Sequence, residues 1–234
     1  MAGTVMHLVV ADRLLDILKV NNPAYFYCGN LAPDAIMARK NYTREMKRHT
    51  HFKDDIHLYE FRQPEKLSVY MDRLMAFFHS YVEPERKHRE IYLGYLTHML
   101  VDELYLLHFR DGFVDKLLDD GKAPTDAEFW DLFTEDVNLV DWELVRSYKF
   151  KYKMPDILML DEPYEIEDFI TGEELLDSKA FIINKNFTTK HEAEPLKVMT
   201  MESNLEFIEL CIREIPRILM DRFALNCLID GDLK

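Results

Sequence analysis

The sequence predicts an all-α fold: a single-domain, multi-helix bundle around one buried central helix. Apolar residues recur at spacings of three and four through most of the 234-residue chain, which is the period of a helix face, and strict alternation is rare. Glycine accounts for only 7 residues, which disfavours the many tight turns of a β-sandwich or barrel. A chain of this length buries enough surface to fold without disulfides or bound metal.

The helices follow from the apolar pattern, taken in chain order. Helical patterns cover residues 7–19, 65–82, 87–109, 126–147 and 202–228. Residues 21–35 are predicted as a loop, because an Asn-Pro pair, a Gly-Asn pair and a further proline interrupt them. Residues 148–200 are predicted to be irregular, with short extended pieces around Ile182 and Ile183. No repeat or linker divides the chain, so residues 1–234 are predicted to form one domain.

The charge balance restricts the class of partner. The chain has 43 acidic and 29 basic side chains, a formal net charge of −14, so a nucleic-acid backbone would be repelled and no nucleic-acid partner is expected. Three cysteines without a close pair indicate neither a disulfide framework nor a zinc finger.

The location follows from the same sequence. The first residues lack the basic region of a signal peptide, and no stretch approaches 18 uncharged apolar residues. We therefore expect no transmembrane segment and a cytoplasmic protein.

The central helix, residues 87–109, has few polar residues, and these are the informative ones. His98 and Asp102 lie one helical turn apart on one stripe of an otherwise apolar helix. A carboxylate in such a stripe is unfavourable by several kcal/mol unless it is paired or bound to metal. Imidazole and carboxylate one turn apart can converge on zinc or another first-row metal. The alternative is that the two side chains satisfy each other in the core.

Three further residues are candidates for the same site, each with a structural alternative. His7 lies at the start of the first helix, where it could instead be exposed. Asp34 lies in the predicted loop, where it could instead cap a helix. His51 precedes a phenylalanine in a second loop-like segment, and could instead belong to a solvated basic stretch, residues 39–53.

Taken in order, these segments resemble the zinc-dependent phospholipase C family. The series runs from HLVVADRLLDIL through N-L-A-P-D and His-Phe to LGYLTHMLVDELYLLH, which keeps the spacing L-G-x-x-x-H-x-x-x-D and a six-residue step to the next histidine. The resemblance covers residues 7–108. It implies an all-α fold and a zinc centre of one to three ions, with iron or manganese as alternatives. The implied ligands are His7, Asp34, His51, His98, Asp102 and His108.

The sequence departs from the phospholipases of this family in three respects. The chain begins Met-Ala-Gly, where those enzymes present a tryptophan. The only histidine after His108, His191, is not followed by a glutamate four residues on, and no proline separates Asp102 from His108. We therefore expect one metal ion, or two with water or Glu103 completing the coordination.

The resemblance implies hydrolysis of a phosphoester by a metal-activated water. Asp34 is the residue expected to orient or deprotonate that water, and the substrate is expected to be a small phosphoester or a phospholipid-like molecule. The basic residues between 39 and 53 could receive the phosphate or form a solvated helix face. The alternative function is a non-catalytic helical metal-binding protein that keeps a degenerate cluster for stability or partner binding.

Overall fold

The computed structural model describes residues 2–83, 88–119, 121, 127–160 and 164–225. Within these ranges the fold is all-α, as predicted, and no β-strand is formed. The helices are α1 (Thr4–Ile17), α2 (Pro23–Ala35), α3 (Arg44–Thr50), α4 (Pro64–Phe77), α5 (Arg89–Leu104), α6 (Arg110–Asp119), α7 (Ala127–Ser147), α8 (Met154–Leu158), α9 (Gly172–Ile182) and α10 (Met201–Phe223). Helices α4, α5 and α9 continue into the π-helical turns Phe78–Val82, Tyr105–Phe109 and Ile183–Thr188.

Helix α5 is the buried centre of the bundle, as its uniformly apolar sequence predicted. Every side chain from residue 91 to residue 104 is buried, and α5 packs against α1, α2 and α10. A helix that is apolar on all sides is stable only when neighbouring helices cover all of them. Within the described ranges, no helix combines the length and the apolar character needed to cross a membrane.

The predicted loop over residues 21–35 is wrong, because this segment forms α2. The Asn22 side chain accepts a hydrogen bond from the Tyr25 N–H, and Pro23 occupies the first turn, where its missing N–H is not needed. The Asn-Pro pair thus starts a helix. Asp34 consequently lies in the last turn of α2, directly after the internal Pro33.

The extended pieces predicted around Ile182 and Ile183 are also wrong. This part of the chain forms α9, whose first turn is closed by a reciprocal pair of hydrogen bonds between Thr171 and Glu174. Residues 189–200 do contain no helix, in line with the irregular segment predicted there. The predicted helical residues 87, 126 and 226–228 lie outside the described residues.

Candidate metal centre

The site begins with an unusually close approach of α2 and α5. A Cβ atom added to Gly29 would lie 1.8 Å from the backbone oxygen of Ile91, and one added to Gly94 would lie 2.1 Å from that of Phe26. Both distances are far below van der Waals contact, so only glycine permits the two backbones to touch at these positions. The contact brings the C-terminal turn of α2 beside the polar stripe of α5.

Five of the six sequence-predicted ligands converge next to this contact. The Nε2 atom of His7 lies 3.5 Å from Oδ1 of Asp102, and Nε2 of His51 lies 3.7 Å from Oδ2 of the same carboxylate. On the other side, His51 Nε2 lies 3.3 Å from Oδ1 of Asp34. The rings of His7 and His98 stack with centroids 3.8 Å apart. Four helices, α1, α2, α3 and α5, thus contribute to one buried cluster.

Hydrogen bonds to backbone oxygens orient two of the imidazoles. Nδ1 of His98 lies 2.8 Å from the carbonyl oxygen of Asn30, and Nδ1 of His51 lies 2.9 Å from that of Lys47. Because a carbonyl can only accept, each Nδ1 carries the proton and donates it. The lone pair of each Nε2 therefore points into the cluster, an arrangement typical of metal-binding histidines.

The atoms that face the cluster lack hydrogen-bond partners among the described residues. They are Nε2 of His7, of His51 and of His98, and both carboxylate oxygens of Asp102; the second ring nitrogen of His7 has no hydrogen-bond partner either. Each of these four side chains is only 1% exposed. A buried polar group without a partner is unfavourable by about 1–3 kcal/mol, and a carboxylate by more. Nitrogen and oxygen atoms gathered in this way fit a divalent cation such as zinc.

The potential ligand atoms form two overlapping triads. His7, His98 and Asp102 offer one set whose atoms all lie within 4.8 Å of one another, and Asp34, His51 and His98 offer the other. The Asp102 carboxylate directs one oxygen towards each side.

The charge states suit metal binding at neutral pH. Burial is the largest influence on Asp34 and Asp102 and opposes their ionisation. The neighbouring lysine, Lys47 for Asp34 and Lys53 for Asp102, acts together with the surrounding imidazoles to outweigh it, so the pKa of each carboxyl is held well below its usual range. Burial lowers the pKa of His51 and, more strongly, of His98. Both carboxylates are therefore charged and both imidazoles neutral, which is the form that ligates.

Two lysines complete the cluster and were identified from the sequence only as members of a basic stretch. Nζ of Lys47 lies 2.7 Å from Oδ1 of Asp34, and Nζ of Lys53 lies 3.8 Å from Oδ2 of Asp102. Lys53 is 3% exposed. The nearest sequence signal is that both lysines lie within four residues of His51.

The structure does not bring His108 to the cluster. This residue lies in the π-helical turn that follows α5 and is exposed. Glu103, expected as a supplementary ligand, instead has its two carboxylate oxygens 2.9 and 3.0 Å from the guanidinium of Arg222. His191 stacks on the ring of Trp142 and belongs to neither group of potential metal ligands.

The family model described as zinc dependent phospholipase C matches residues 6–140, more than half of the chain and the part that contains all five clustered residues. The chain belongs to the zinc-dependent phospholipase C family. The resemblance carried by the sequence motifs is thereby confirmed. No curated protein and no solved structure matches the chain.

In this member of the zinc-dependent phospholipase C family, a cavity of about 710 Å³ adjoins the cluster, with His51 in its wall. Its lining combines two kinds of side chain. The basic ones are Arg44, Lys47, Arg48, Lys53 and Arg110, and the large apolar and aromatic ones are Met37, Tyr42, Ile56, Leu58, Tyr59, Trp130 and Phe133. The cavity is therefore both cationic and apolar.

Proposed function

We propose that the protein is a metal-dependent hydrolase of phosphoesters, with zinc as the resident metal and iron or manganese as possible substitutes. The observation that carries the proposal is the convergence, in two overlapping triads, of buried imidazole nitrogens and carboxylate oxygens, most of which make no hydrogen bond among the described residues. A cluster with a purely structural role would satisfy these atoms within the chain, because nearly all buried polar groups in folded proteins have partners.

The two triads define which residues would hold the metal. His98 has only Nε2 available, since its Nδ1 donates to the backbone of Asn30, so it can serve one triad at a time. Asp102 offers an oxygen to each side and is the residue suited to bridge two ions. This distribution supports a centre of one or two ions, with His7, Asp34, His51, His98 and Asp102 as the ligand set.

A divalent metal in such a centre lowers the pKa of a coordinated water and polarises a phosphoryl oxygen. Side chains of the protein orient the water and stabilise the charge on the phosphoryl group. Asp34 lies at the less buried side of the cluster with an ionised carboxylate, where it orients the attacking water. Lys47 and Lys53 border the cavity and stabilise the negative charge that develops on the phosphoryl oxygens.

The adjoining cavity supports a phospholipid-like substrate. Its basic side chains suit a phosphate group, and its apolar side chains suit a hydrocarbon portion. We propose a phosphodiesterase or phosphatase activity on such a molecule.

One observation favours the alternative of a non-catalytic metal-binding protein. Glu103 is engaged by Arg222 and His108 is exposed, so neither adds to the five-residue set. In that case the metal would stabilise the junction of α1, α2, α3 and α5 without turnover.

The test combines metal content with hydrolysis on the same preparation. Elemental analysis by plasma mass spectrometry gives ions per chain, and p-nitrophenyl phosphate and bis(p-nitrophenyl) phosphate report hydrolysis after loading with zinc, iron(II) or manganese. We expect at least one ion per chain and metal-dependent release of p-nitrophenol. His108→Ala, as the matched histidine variant, should keep both the metal and the activity.

The two functions give different results. Tightly bound metal without hydrolysis of either ester, or of a phospholipid, would establish the non-catalytic alternative. Absence of metal after reconstitution would contradict both.

A further inference from the structure

The cavity beside the cluster has a charge opposite to that of the protein. The chain carries 43 acidic and 29 basic side chains, yet the described residues that line the cavity include five lysines and arginines and no carboxylate. An acidic protein whose cavity is cationic attracts anions there and repels them elsewhere on its surface.

The charges inside the cluster are already balanced before a metal binds. Lys47 pairs with Asp34, and Lys53 lies 3.8 Å from an oxygen of Asp102. The three imidazoles add no charge in their ligating form. Each divalent ion therefore brings two positive charges that the chain does not neutralise. This step rests on the proposed function, and together with the basic lining of the cavity it favours a ligand that supplies negative charge.

The arginines at the mouth of the cavity also favour an anionic ligand. Arg44 is exposed and Arg48 half-buried, and Arg48 is only partly offset by Glu45 at 3.2 Å. The guanidinium of Arg110 lies over the ring of Trp130, 5.9 Å from its centroid. A choline cation is stabilised by a carboxylate or by an aromatic face. The described lining has no carboxylate, and the ring of Trp130 already faces Arg110, which leaves Tyr42, Tyr59 and Phe133 as the other aromatic side chains.

The apolar side chains of the lining bear on the uncharged part of the ligand. Ile56 is buried in the wall, while Met37 and Tyr59 are 50% and 78% exposed at the cavity. Such side chains favour a ligand with a hydrocarbon portion over a free inorganic anion.

We infer that the cavity selects amphiphiles whose phosphate-bearing head group is net anionic, and discriminates against zwitterionic phosphocholine head groups. Arg44, Arg48 and Arg110 are the specificity-determining residues at its mouth, and Lys47 and Lys53 are those next to the metal ligands.

The test compares two probes with the same hydrocarbon chain, dodecyl phosphate and dodecylphosphocholine, below their micelle concentrations. The fluorescence of Trp130 reports binding, in a Trp142→Phe background that removes the other tryptophan of the chain. Titrations are made on zinc-loaded protein and after dialysis against a chelator, because zinc by itself attracts phosphate. We expect dodecyl phosphate to bind about tenfold or more tightly in both states, with a preference that weakens at high salt.

Substitutions at the mouth of the cavity test which side chains cause the preference for dodecyl phosphate. The Arg44→Gln, Arg48→Gln double variant should lose about three- to tenfold of the preference, the size expected for two solvent-screened charges. Arg217→Gln removes a comparably exposed arginine on α10, outside the cavity lining, and should leave the preference unchanged.

Equal or tighter binding of dodecylphosphocholine would overturn the inference, and so would inorganic phosphate binding as tightly as dodecyl phosphate. These outcomes are separable from the catalytic proposal. A protein that prefers dodecyl phosphate but hydrolyses no phosphoester supports the inference and contradicts the proposed function. A protein that hydrolyses phosphocholine esters in preference to anionic phosphoesters supports the proposed function and contradicts the inference.

Discussion

Buried polar side chains occur in two kinds of surroundings in this protein. Asp12 accepts hydrogen bonds from the hydroxyls of Tyr27 and Tyr148 and from the N–H of Lys151. Asp136 accepts from three successive backbone N–H groups, at residues 197–199, over distances of 2.7–2.8 Å. In the candidate metal centre, by contrast, equally buried atoms of His7, His98 and Asp102 have no hydrogen-bond partner among the described residues.

The difference separates structural polar groups from those kept available for a ligand. Asp12 and Asp136 each fasten a distant segment of chain to the bundle, and their hydrogen-bonding capacity is used in doing so. The cluster leaves lone pairs unused in the interior, at an energetic cost that a bound cation would remove. The following predictions test this contrast.

The largest effect is expected from the double substitution His98→Ala, Asp102→Ala. It removes the residue common to both triads and the carboxylate between them, so metal affinity should fall more than a thousandfold, equivalent to about 4 kcal/mol. Metal titration of purified protein, followed by calorimetry or a chromophoric chelator, measures this loss.

The same variant should also be less stable than the wild type when both are free of metal, because it removes the carboxylate beside the buried Lys53 and the hydrogen bond from His98 Nδ1 to the Asn30 carbonyl. Unchanged metal content in this variant would remove the basis for a metal site at the cluster.

Asp136→Ala should lower the stability of the protein and leave its metal binding unchanged. Three backbone N–H groups lose their acceptor, so the free energy of unfolding should fall by about 3 kcal/mol, measured by urea denaturation. Metal stoichiometry should stay at the wild-type value, since the residue lies outside both triads. A loss of bound metal without a loss of stability would show that the two kinds of site are not distinct.

The smallest effect concerns the pH dependence of the metal-free protein. Burial lowers the pKa of His51 and His98 in the folded state, so below their ordinary value of about 6.5 the unfolded chain binds more protons than the folded one. Stability should therefore decrease as the pH falls from 7.5 to 6. Below pH 6 the Asp141 carboxyl has the opposite effect. Burial raises its pKa to about 6, so the folded state takes up this proton more readily than the unfolded chain and gains stability as the pH falls.

Urea midpoints at pH 7.5, 7.0, 6.5 and 6.0 measure this slope. The slope should be shallower in His98→Ala. Saturating zinc should raise stability by about the same amount across this range, because imidazoles that are already neutral in the folded protein need not lose a proton to bind. A flat profile for the metal-free wild type would contradict the assignment of neutral, buried imidazoles.

The sequence predicted the helices whose apolar pattern is long and regular, and it missed most of the shorter ones, among them α2 and α9, which begin with a side-chain cap. Helix α5 is recognisable because its burial makes it apolar on all sides. The pair Asn22-Pro23 predicts a loop in place of α2 if it is regarded as an interruption, although Asn followed by Pro also starts helices. The Thr-x-x-Glu signature at residues 171–174 was available for α9 in the same way.

For the site, the sequence by itself determined which residue types are present and the one-turn spacing of His98 and Asp102, because helical geometry fixes that relation locally. Only the tertiary structure decided that His7, Asp34 and His51 join them while His108 does not, since these relations depend on how separate helices pack. The contact through Gly29 and Gly94 places α2 against α5, and the π-helical turn after Leu104 carries His108 at the surface. The cationic cavity, too, arises only when residues from distant parts of the chain meet around it.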